Sequence, residues 1–385
     1  MGTLVLSGTG ALDELGRELQ LRGLKRAMLI SSPSAYRGEG MRALREALRG
    51  VEIRGSFTGV RQHAPEDDIR AAAAALAAND VDFILAVGGA SVGDTAKGAA
   101  LLHAGAELEL DFSGLEPGLP AVPGLLPIVN VPLTLAGAEF LSGGSFSRKG
   151  HKDGFIAPGL AHSITVYHPS CLADVPTHVL CSSAFNALAH ALESSCTDRA
   201  TPYSRALAAG SASRFARWLP ARAAGDTSVE VLTGLSEAAI LGALAYVIGM
   251  GGVHHAVCHA LGGLLGIPHA SANAAVLPYA LAVNETFSES VQAELAGVMG
   301  RELERYGVPA GLPLAESVKA LQGLVHVSGS LAAFNIADND LDDVAREVMV
   351  ETRGGTSLRP RMLNEVQVRM LLSAAWSGDL NLARF

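Results

Sequence analysis

The stretch from Asp82 to Leu102, DFILAVGGASVGDTAKGAALL, decides the fold. Its first part, Asp82 to Val87, is a short apolar run that predicts a buried strand. Gly88 and Gly89 follow and lead directly into an Ala-rich helical sequence. Two glycines let the backbone approach a ligand closely, and the free N–H groups at a helix start attract an anion. The turn matches neither G-x-G-x-x-G nor a Walker loop, so its strand-turn-helix context carries the prediction of a dinucleotide pyrophosphate site.

The sequence on both sides of this turn repeats the same alternation of strand and helix. Ala27 to Ser31 and Pro127 to Val131 read as strands, and residues 42–50 and 68–79 read as amphipathic helices. This alternation is typical of a parallel α/β sheet. Thr134 follows the Pro127 to Val131 strand, so we expect it to line the same crevice at the carboxyl ends of the strands.

The pattern changes at about residue 170. Residues 142–158 (SGGSFSRKGHKDGFIAP) predict an exposed β-hairpin, and HSITVYHP closes the strand-containing part. Everything after it reads as helices that bury Leu, Val and Met. We therefore predict an α/β domain over residues 1–169 and an all-α domain over residues 170–385.

The helical part contains a histidine-rich segment, His254 to Pro278, HHAVCHALGGLLGIPHASANAAVLP. His255 and His259 lie one helical turn apart and so project from the same face. Gly266 is expected to end this helix, and Pro268 then directs His269 back towards the first two imidazoles. A lone buried histidine such as His254 is more often a satisfied core residue. Three imidazoles in this arrangement favour a site, because imidazole binds zinc and iron and exchanges protons near neutral pH.

A second helix adds a fourth imidazole to this inventory. Asn186 and His190 are again one turn apart, and we expect Ser182 or Ser183 to cap their helix.

Composition and charge exclude several classes of protein. The chain has 385 residues and a net charge of −9, with its few Lys residues scattered, which disfavours a nucleic-acid partner. The four Cys residues show no C-x-x-C spacing, and we expect reduced thiols in the cytoplasm. The apolar sequence from Leu232 to Met250 is interrupted by Glu237 and several Gly, which favours a buried helix over a membrane span.

Several motifs together resemble the iron-containing, group III alcohol dehydrogenases, and within them the maleylacetate reductase branch. GGASVGDTAK resembles the family's Gly-Gly-Gly-Ser-x-x-Asp-x-x-Lys element, and VPLTLAGAEF resembles its Pro-Thr-Thr-x-x-Gly-x-Glu element. FNALAHALE resembles the metal-site helix, and the histidine-rich segment resembles the family's own. RPRMLNEVQVRMLLSAAWSGDL resembles the end of maleylacetate reductases. The likeness runs in order along essentially the whole chain.

The resemblance implies the fold of iron-containing alcohol dehydrogenases and dehydroquinate synthases: a Rossmann-like domain for NAD(P), a helical domain, a cleft between them, and a homodimer. It implies these cofactor contacts: Gly88, Gly89, Ala90, Ser91, Asp94, Thr134 and Leu135. It also implies that Fe²⁺ or Zn²⁺, where present, is held at these positions: Asn186, His190, His255 and His269. His259 corresponds to a site histidine that is not a ligand.

Three positions depart from the pattern. Asn186 stands where metal-binding members have Asp, and a neutral amide oxygen is a poorer partner for a divalent cation than a carboxylate. Asn at this position resembles the maleylacetate reductase branch, in which metal is not generally required, whereas Asp94 is the dehydrogenase-type residue. His168 replaces an acidic residue. We therefore predict a partly occupied or empty metal site.

The predicted reaction is hydride transfer from NADH or NADPH to a small carbonyl, as in maleylacetate reductase. Negative charge develops on the carbonyl oxygen, and His259 or His255 is the expected proton donor. Ser31, Ser32 and Ser34 stand where NAD-specific sheets place an acidic residue, so NADPH is expected to be tolerated.

Three alternatives stay open at this stage. The first is a metal-dependent alcohol dehydrogenase or aldehyde reductase of the same family. The second is a lyase resembling dehydroquinate synthase, which would need Lys and Arg near its ligands, although none stand beside His190, His255 or His269 in the sequence. The third is a catalytically silent regulatory protein, against which the retention of Asp94, Lys97 and the imidazoles argues.

Overall fold

The structure, a computed structural model, describes residues 2–35, 39–108, 122–148, 151–353 and 363–385. The chain divides into two compact units, Met1–Pro176 and Thr177–Phe385. The sequence interpretation ended the first domain at residue 169. The structure keeps the short helix Pro169–Ala173 in the first unit, where it packs against the helix Glu39–Ala47.

Six strands of the described residues form one parallel sheet in the order β1-β8-β5-β4-β2-β3. The strands are β1 (Leu4–Ser7), β2 (Arg26–Ser31), β3 (Glu52–Phe57), β4 (Phe83–Gly88), β5 (Ile128–Pro132) and β8 (Ile164–Tyr167). The described residues of this unit also form five α-helices: α1 (Ala11–Leu21), α2 (Glu39–Ala47), α3 (Glu66–Ala77), α4 (Ala90–His103) and α5 (Pro169–Ala173). The predicted α/β fold is therefore present.

The central strands are buried on both faces because their apolar residues run without interruption. In β4, Leu85 and Val87 face the core formed with α1 and α2, whereas Ile84 and Ala86 face the core formed with α3 and α4. This division follows from the two-residue period of a strand. The sheet is thus covered by helices on both sides, as parallel sheets generally are.

The strand order places a topological switch point beside β4. The connection from β2 runs outward to β3, whereas the connection from β4 runs the other way to β5, and β2 and β4 are neighbours. Ligands of open α/β sheets bind at the carboxyl ends of strands at such a point. Gly88, the last residue of β4, lies there.

The predicted hairpin is present as β6 (Gly143–Arg148) and β7 (His151–Ile156), with its turn residues 149 and 150 outside the described ones. The expectation that it is exposed was wrong for one face. Phe146 and Phe155 are buried in a cluster with Ile69 of α3 and Leu101 of α4. One aromatic residue on each strand gives the hairpin an apolar face, and this face packs against the helices of the same unit.

His168 caps the N-terminus of α5. Its Nδ1 accepts from the backbone N–H of Ser170, and its Nε2 lies 3.1 Å from the carbonyl oxygen of Thr9. A carboxylate in this position would perform the same capping role. The imidazole that replaces the expected acidic residue therefore keeps a local structural function.

The described residues of the second unit contain nine α-helices and no strand. They are α6 (Thr177–Ser195), α7 (Pro202–Ala223), α8 (Val229–Gly249), α9 (Val253–Leu265), α10 (His269–Val283), α11 (Glu289–Leu303), α12 (Leu314–Leu324), α13 (Asp340–Arg353) and α14 (Glu365–Ser377). Residues 359–362, the start of the C-terminal motif, lie outside the described residues, and α14 carries most of the rest.

Helix α6 begins earlier than the sequence suggested. It starts at Thr177, just after Pro176, so Ser182 and Ser183 lie inside it rather than at its cap. Their hydroxyls donate to the carbonyl oxygens of Val179 and Leu180, three residues back along the chain. A serine hydroxyl can bond to a preceding carbonyl oxygen inside a helix, and here both do, so the capping prediction was wrong.

Helix α8 is the most apolar helix of the described chain, long enough and apolar enough to cross a membrane by composition alone. More than half of its apolar window is buried inside the protein, and it packs against α6 and α7. These features are those of a core helix, which passes the same test.

Candidate active site

The glycine turn at the end of β4 requires its two glycines for different reasons. Gly88 has φ +156°, and a Cβ there would lie 2.5 Å from Cγ2 of Val92. Gly89 precedes the first residue of α4, and a Cβ there would lie 3.0 Å from Cγ2 of Thr134. A side chain at Gly88 would overlap Val92, and one at Gly89 would be in tight contact with Thr134, so both positions expose main chain at the turn.

One pocket collects most of the predicted cofactor residues: Gly88, Gly89, Ala90, Asp94 and Thr134 line it. Ser91 stands beside them at the start of α4, where its Oγ accepts from the backbone N–H of His63 at 3.1 Å. Leu135 is fully buried, so its side chain belongs to the core. A contact of Leu135 with a cofactor would have to use its main chain.

The same pocket contains Lys97, whose bonding could not be anticipated from the sequence. Its Nζ donates to the carbonyl oxygens of Ala138 and Gly143, each at 2.9 Å, and the side chain is fully buried. Burial lowers the pKa of Lys97, and the charges of Asp94 and Glu139 oppose that change. Lys97 thereby ties α4 both to the segment that follows Thr134 and to the first residue of β6.

Two buried carboxyls and an imidazole complete this pocket. Burial raises the pKa of Asp94, which also accepts a hydrogen bond from Ser145, and raises the pKa of Glu139 to about 7. Tyr167 of β8 donates to the Glu139 carboxylate. Burial also lowers the pKa of His162 well below its ordinary value, so this imidazole is neutral. The pocket can therefore hold an extra proton on Glu139 near neutral pH.

The second unit brings its four predicted imidazoles together from three helices. α6 carries His190, α9 carries His255 and His259, and α10 begins with His269. Gly266 ends α9 in the left-handed conformation, as the sequence predicted, and Pro268 sets up the start of α10. His190 and His255 are buried, whereas His259 and His269 are partly exposed.

The rings lie within contact range of one another. The ring centroids of His190 and His255 are 4.9 Å apart, and those of His259 and His269 are 5.5 Å apart. His255 stands in the middle, 6.5 Å from both His259 and His269. We call these four residues the imidazole cluster. Burial, together with charge on the neighbouring imidazoles, lowers the pKa of His190 well below its ordinary value, so it is neutral.

Glu193 joins this cluster and was missed at the sequence level. It is buried, and its carboxylate accepts from Nδ1 of His255 at 2.6 Å and from the backbone N–H of His254 at 2.8 Å. Burial alone would raise the pKa of Glu193, but the contacts with His255 and His254 keep it below its ordinary value. Asn186, His190 and Glu193 follow the i, i+4, i+7 spacing of one helix face, and this spacing was the available signal.

Tyr246, at the end of α8, is a second unforeseen neighbour. Its ring centroid lies 4.3 Å from that of His190 and 5.0 Å from that of His255. It is partly exposed, unlike the two histidines that it contacts. No spacing in the sequence links Tyr246 to the histidine-rich segment, because the link arises only from the packing of α8.

His254 behaves as the satisfied core residue that a lone buried histidine usually is. It is fully buried, and its Nε2 lies 3.0 Å from the carbonyl oxygen of Asn273. Burial lowers the pKa of His254 to about 4, so the ring is neutral.

The imidazole cluster offers donor atoms that suit a divalent cation. Nε2 of His255 and Nδ1 of His190 are buried, and neither has a hydrogen-bond partner within the residues described. Such lone pairs are the atoms with which neutral imidazole binds zinc or iron. Asn186, also buried, adds an amide oxygen in place of a carboxylate. The nearby carboxylate, Glu193, already accepts from His255.

A doubly wound parallel sheet with a glycine turn at its switch point, followed by a helical unit with clustered imidazoles, defines a nicotinamide-dependent oxidoreductase architecture. Comparison with known proteins identifies the family. The family described as iron-containing alcohol dehydrogenase matches residues 2–169, and the C-terminal part of the same family matches residues 180–376. The chain belongs to this family, and it is an NAD(P)-dependent oxidoreductase.

Individual relatives agree with this assignment. Maleylacetate reductase 2 of Cupriavidus pinatubonensis is 29% identical over 378 residues, which cover 98% of this chain and 95% of the relative. The structure of maleylacetate reductase from a Rhizobium species matches with a TM-score of 0.80 and 23% identity, covering 98% of this chain and 97% of that one. Sulfoacetaldehyde reductase from Bifidobacterium kashiwanohense, solved in complex with NAD⁺, matches with a TM-score of 0.79 and 19% identity, covering 98% of each chain.

Proposed function

We propose that this protein reduces a small carbonyl compound with NADH or NADPH, in the manner of a maleylacetate reductase. The observation that carries the proposal is the imidazole cluster, in which partly exposed His259 stands beside the buried pair of His255 and Glu193. The names of the relatives, which include several maleylacetate reductases, support the substrate class. The runner-up within the family is a metal-dependent alcohol dehydrogenase or aldehyde reductase.

The first unit would hold the cofactor at its glycine turn. Gly88, Gly89, Ala90 and Ser91 present main-chain groups at the start of α4, where a pyrophosphate is favoured by the helix N-terminus. Asp94, Thr134 and the main chain of Leu135 would contact the remainder of the dinucleotide. The NAD⁺ complex of the related sulfoacetaldehyde reductase supports this cofactor class. When bound, the nicotinamide supplies the hydride.

His259 is the proposed proton donor to the oxygen that becomes a hydroxyl. Its side chain is partly exposed, so it can exchange protons with solvent, whereas His255 is buried and already bonded to Glu193. A positioned general acid contributes roughly a hundred- to ten-thousand-fold in rate. His269, whose ring centroid is 5.5 Å from that of His259, would orient the carbonyl.

A divalent cation, if bound, would be held by Asn186, His190, His255 and His269 and would polarise the carbonyl as a Lewis acid. The neutral amide of Asn186 makes this set weaker than one containing a carboxylate. We therefore propose turnover that does not depend on the metal. We also propose a cytoplasmic homodimer without a nucleic-acid or membrane partner, which is in keeping with the net charge of −9.

The test is an assay of nicotinamide absorbance after the metal content of the purified protein has been measured. Maleylacetate and a panel of small aldehydes and ketones are offered with NADH and, separately, with NADPH. We expect oxidation of both cofactors and the highest kcat/KM with maleylacetate. A higher kcat/KM for a simple aldehyde would replace the proposed substrate. No cofactor oxidation with any carbonyl would remove the proposed function.

A further inference from the structure

The carboxylate of Glu193 bonds to two groups of α9. One is a backbone N–H, which can only donate, and the other is an imidazole nitrogen, which can donate or accept. Oε1 accepts from the backbone N–H of His254 at 2.8 Å, and Oε2 accepts from Nδ1 of His255 at 2.6 Å. The side chains of Glu193 and His255 are each only 7% exposed, so water does not compete for these bonds. Both bonds are short, as hydrogen bonds to an ionised carboxylate generally are.

The ionised carboxylate of Glu193 determines which nitrogen of His255 carries the proton. An ionised carboxylate only accepts hydrogen bonds, so the atom at 2.6 Å from Oε2 must carry a proton. In neutral His255 that proton is on Nδ1, and Nε2 therefore holds a lone pair. This Nε2 is buried and has no partner among the described residues.

His254 reinforces the same arrangement. Its Nε2 lies 3.0 Å from the carbonyl oxygen of Asn273, which can only accept, so the proton of neutral His254 is on Nε2. Its Nδ1 is consequently an acceptor, and it lies 3.4 Å from Nδ1 of His255. The Nδ1–H of His255 thus faces two acceptors, and the opposite tautomer of His255 would place two lone pairs against each other.

We infer that Glu193 is a positioning residue that fixes the tautomer of His255, so that Nε2 of His255 acts as the acceptor within the imidazole cluster. This inference rests on the proposed function. The sequence allowed either His255 or His259 to be the proton donor, and the inference assigns a different role to each. Neutral His255 has no proton to donate from Nε2, so in carbonyl reduction the proton comes from His259. Nε2 of His255 is left to accept from the hydroxyl that forms or to bind a cation.

A competing use of the same atoms is a cation held by Glu193, His254 and His255, whose ligand atoms lie within 4.8 Å of one another. Such a cation would bind the lone pair of Nδ1 of His255, so the one proton of neutral His255 would be on Nε2. The two interpretations therefore predict opposite tautomers, and one spectroscopic measurement separates them.

The informative variant is Glu193→Gln. A glutamine amide has one oxygen and one NH₂, and the backbone N–H of His254 can only donate, so the oxygen must turn towards it. The NH₂ then faces Nδ1 of His255 and forces that atom to become the acceptor. Glu193→Gln should therefore move the proton of His255 to Nε2. Glu193→Asp keeps both acceptors and should keep the original tautomer.

The tautomers are read from ¹⁵N–¹H correlations of the imidazoles in protein labelled with ¹⁵N-histidine, with the signals of His255 identified by their loss in His255→Gln. Steady-state kinetics accompany the spectra, and Ser194→Ala is the matched control. Its hydroxyl is buried next to Glu193 but bonds only to the helix carbonyl of Ala191. We expect kcat of Glu193→Gln to fall by about 100-fold with KM for NADH unchanged within about twofold, because the lost group orients a site residue.

A proton on Nδ1 of His255 in the parent protein, its transfer to Nε2 in Glu193→Gln and the loss of kcat would support the inference. A proton on Nε2 in the parent protein, or full kcat in Glu193→Gln, would overturn it. NADH binding and the spectra do not need turnover. If no carbonyl is reduced, the proposed function fails while the tautomer of His255 is still measured.

Discussion

The pocket of the first unit and the imidazole cluster of the second are built from different parts of the chain. At the glycine turn the proposed cofactor surface is main chain, because a Cβ at Gly88 would overlap Val92 and one at Gly89 would be in tight contact with Thr134. In the imidazole cluster the surface is side chain, supplied by α6, α9 and α10. An anion needs only oriented N–H groups, whereas proton transfer needs groups that change protonation. The first site is therefore indicated in the sequence by glycines, and the second by histidines.

The two sites also differ in charge. The first site buries the charged side chains of Lys97, Asp94 and Glu139 together, whereas the second site groups four imidazoles, with the carboxylate of Glu193 bonded to His255. Three substitutions probe this difference.

The first substitution, His259→Ala, should remove roughly 100- to 10,000-fold of kcat, because the developing alkoxide loses its proton donor. Exhaustive EDTA treatment of the parent protein should leave kcat nearly unchanged, since Asn186 weakens the metal set. Turnover is measured on one preparation before and after chelation, with exposed His103→Ala as the histidine control. Loss of activity with EDTA and its recovery with Fe²⁺ or Zn²⁺ would show that the metal is essential.

The second substitution tests whether the first site is a main-chain surface. Gly89→Leu places its Cβ 3.0 Å from Cγ2 of Thr134, and the larger side chain should block the turn. We expect the Kd for NADH, measured by fluorescence, to rise at least about tenfold, which corresponds to roughly 1.4 kcal/mol. Gly300→Leu is the control, because nothing lies within 4 Å of a Cβ at that position. Equal Kd values for parent and Gly89→Leu would contradict the site.

The third substitution, Glu139→Gln, tests the buried charges of the first site. Burial raises the pKa of Glu139 to about 7, while Asp94, Lys97, Tyr167 and neutral His162 share its pocket. Between the ordinary Glu pKa and pH 7 the folded state keeps a proton that the unfolded state releases, so stability falls as the pH rises through this window.

Glutamine keeps an oxygen for Tyr167 and cannot ionise. From pH 5 to pH 8 the free energy of unfolding of Glu139→Gln should therefore gain about 1 to 3 kcal/mol relative to the parent. Urea unfolding at several pH values measures this difference. A difference that stays constant with pH would mean that Glu139 has an ordinary pKa in the folded protein.

The sequence predicted the parts of each site that follow a local rule. Gly88 and Gly89 lie in one strand-turn-helix segment, and His255 and His259 share a helix face, so spacing alone places each pair, whereas Asp94 was predicted from the family resemblance. Thr134 was predicted because strands of one parallel sheet end at the same edge. The structure brings Thr134 into contact distance of Gly89, as that rule requires.

The missed residues depend on partners that spacing does not encode. Lys97 bonds to main-chain carbonyl oxygens of residues 41 and 46 positions away, and a carbonyl carries no sequence signal. Tyr246 reaches the imidazole cluster only through the packing of α8. Glu193 could have been predicted from the sequence, since it continues the helix face of Asn186 and His190. Ser182 and Ser183 gave a wrong capping prediction, because a serine hydroxyl can also bond to a preceding carbonyl oxygen inside a helix.

Helix α8 has a consequence for the order in which the chain is made. The two helices against which it packs most extensively, α6 and α7, both precede it in the sequence, so they have already been synthesised when α8 is completed. The most apolar helix can then be covered by neighbours close to it in the chain, through contacts that form quickly. Most of the surface that buries α8 is therefore available as soon as α8 has been synthesised. This limits the time for which its apolar side chains are exposed to aggregation or to recognition as a membrane span.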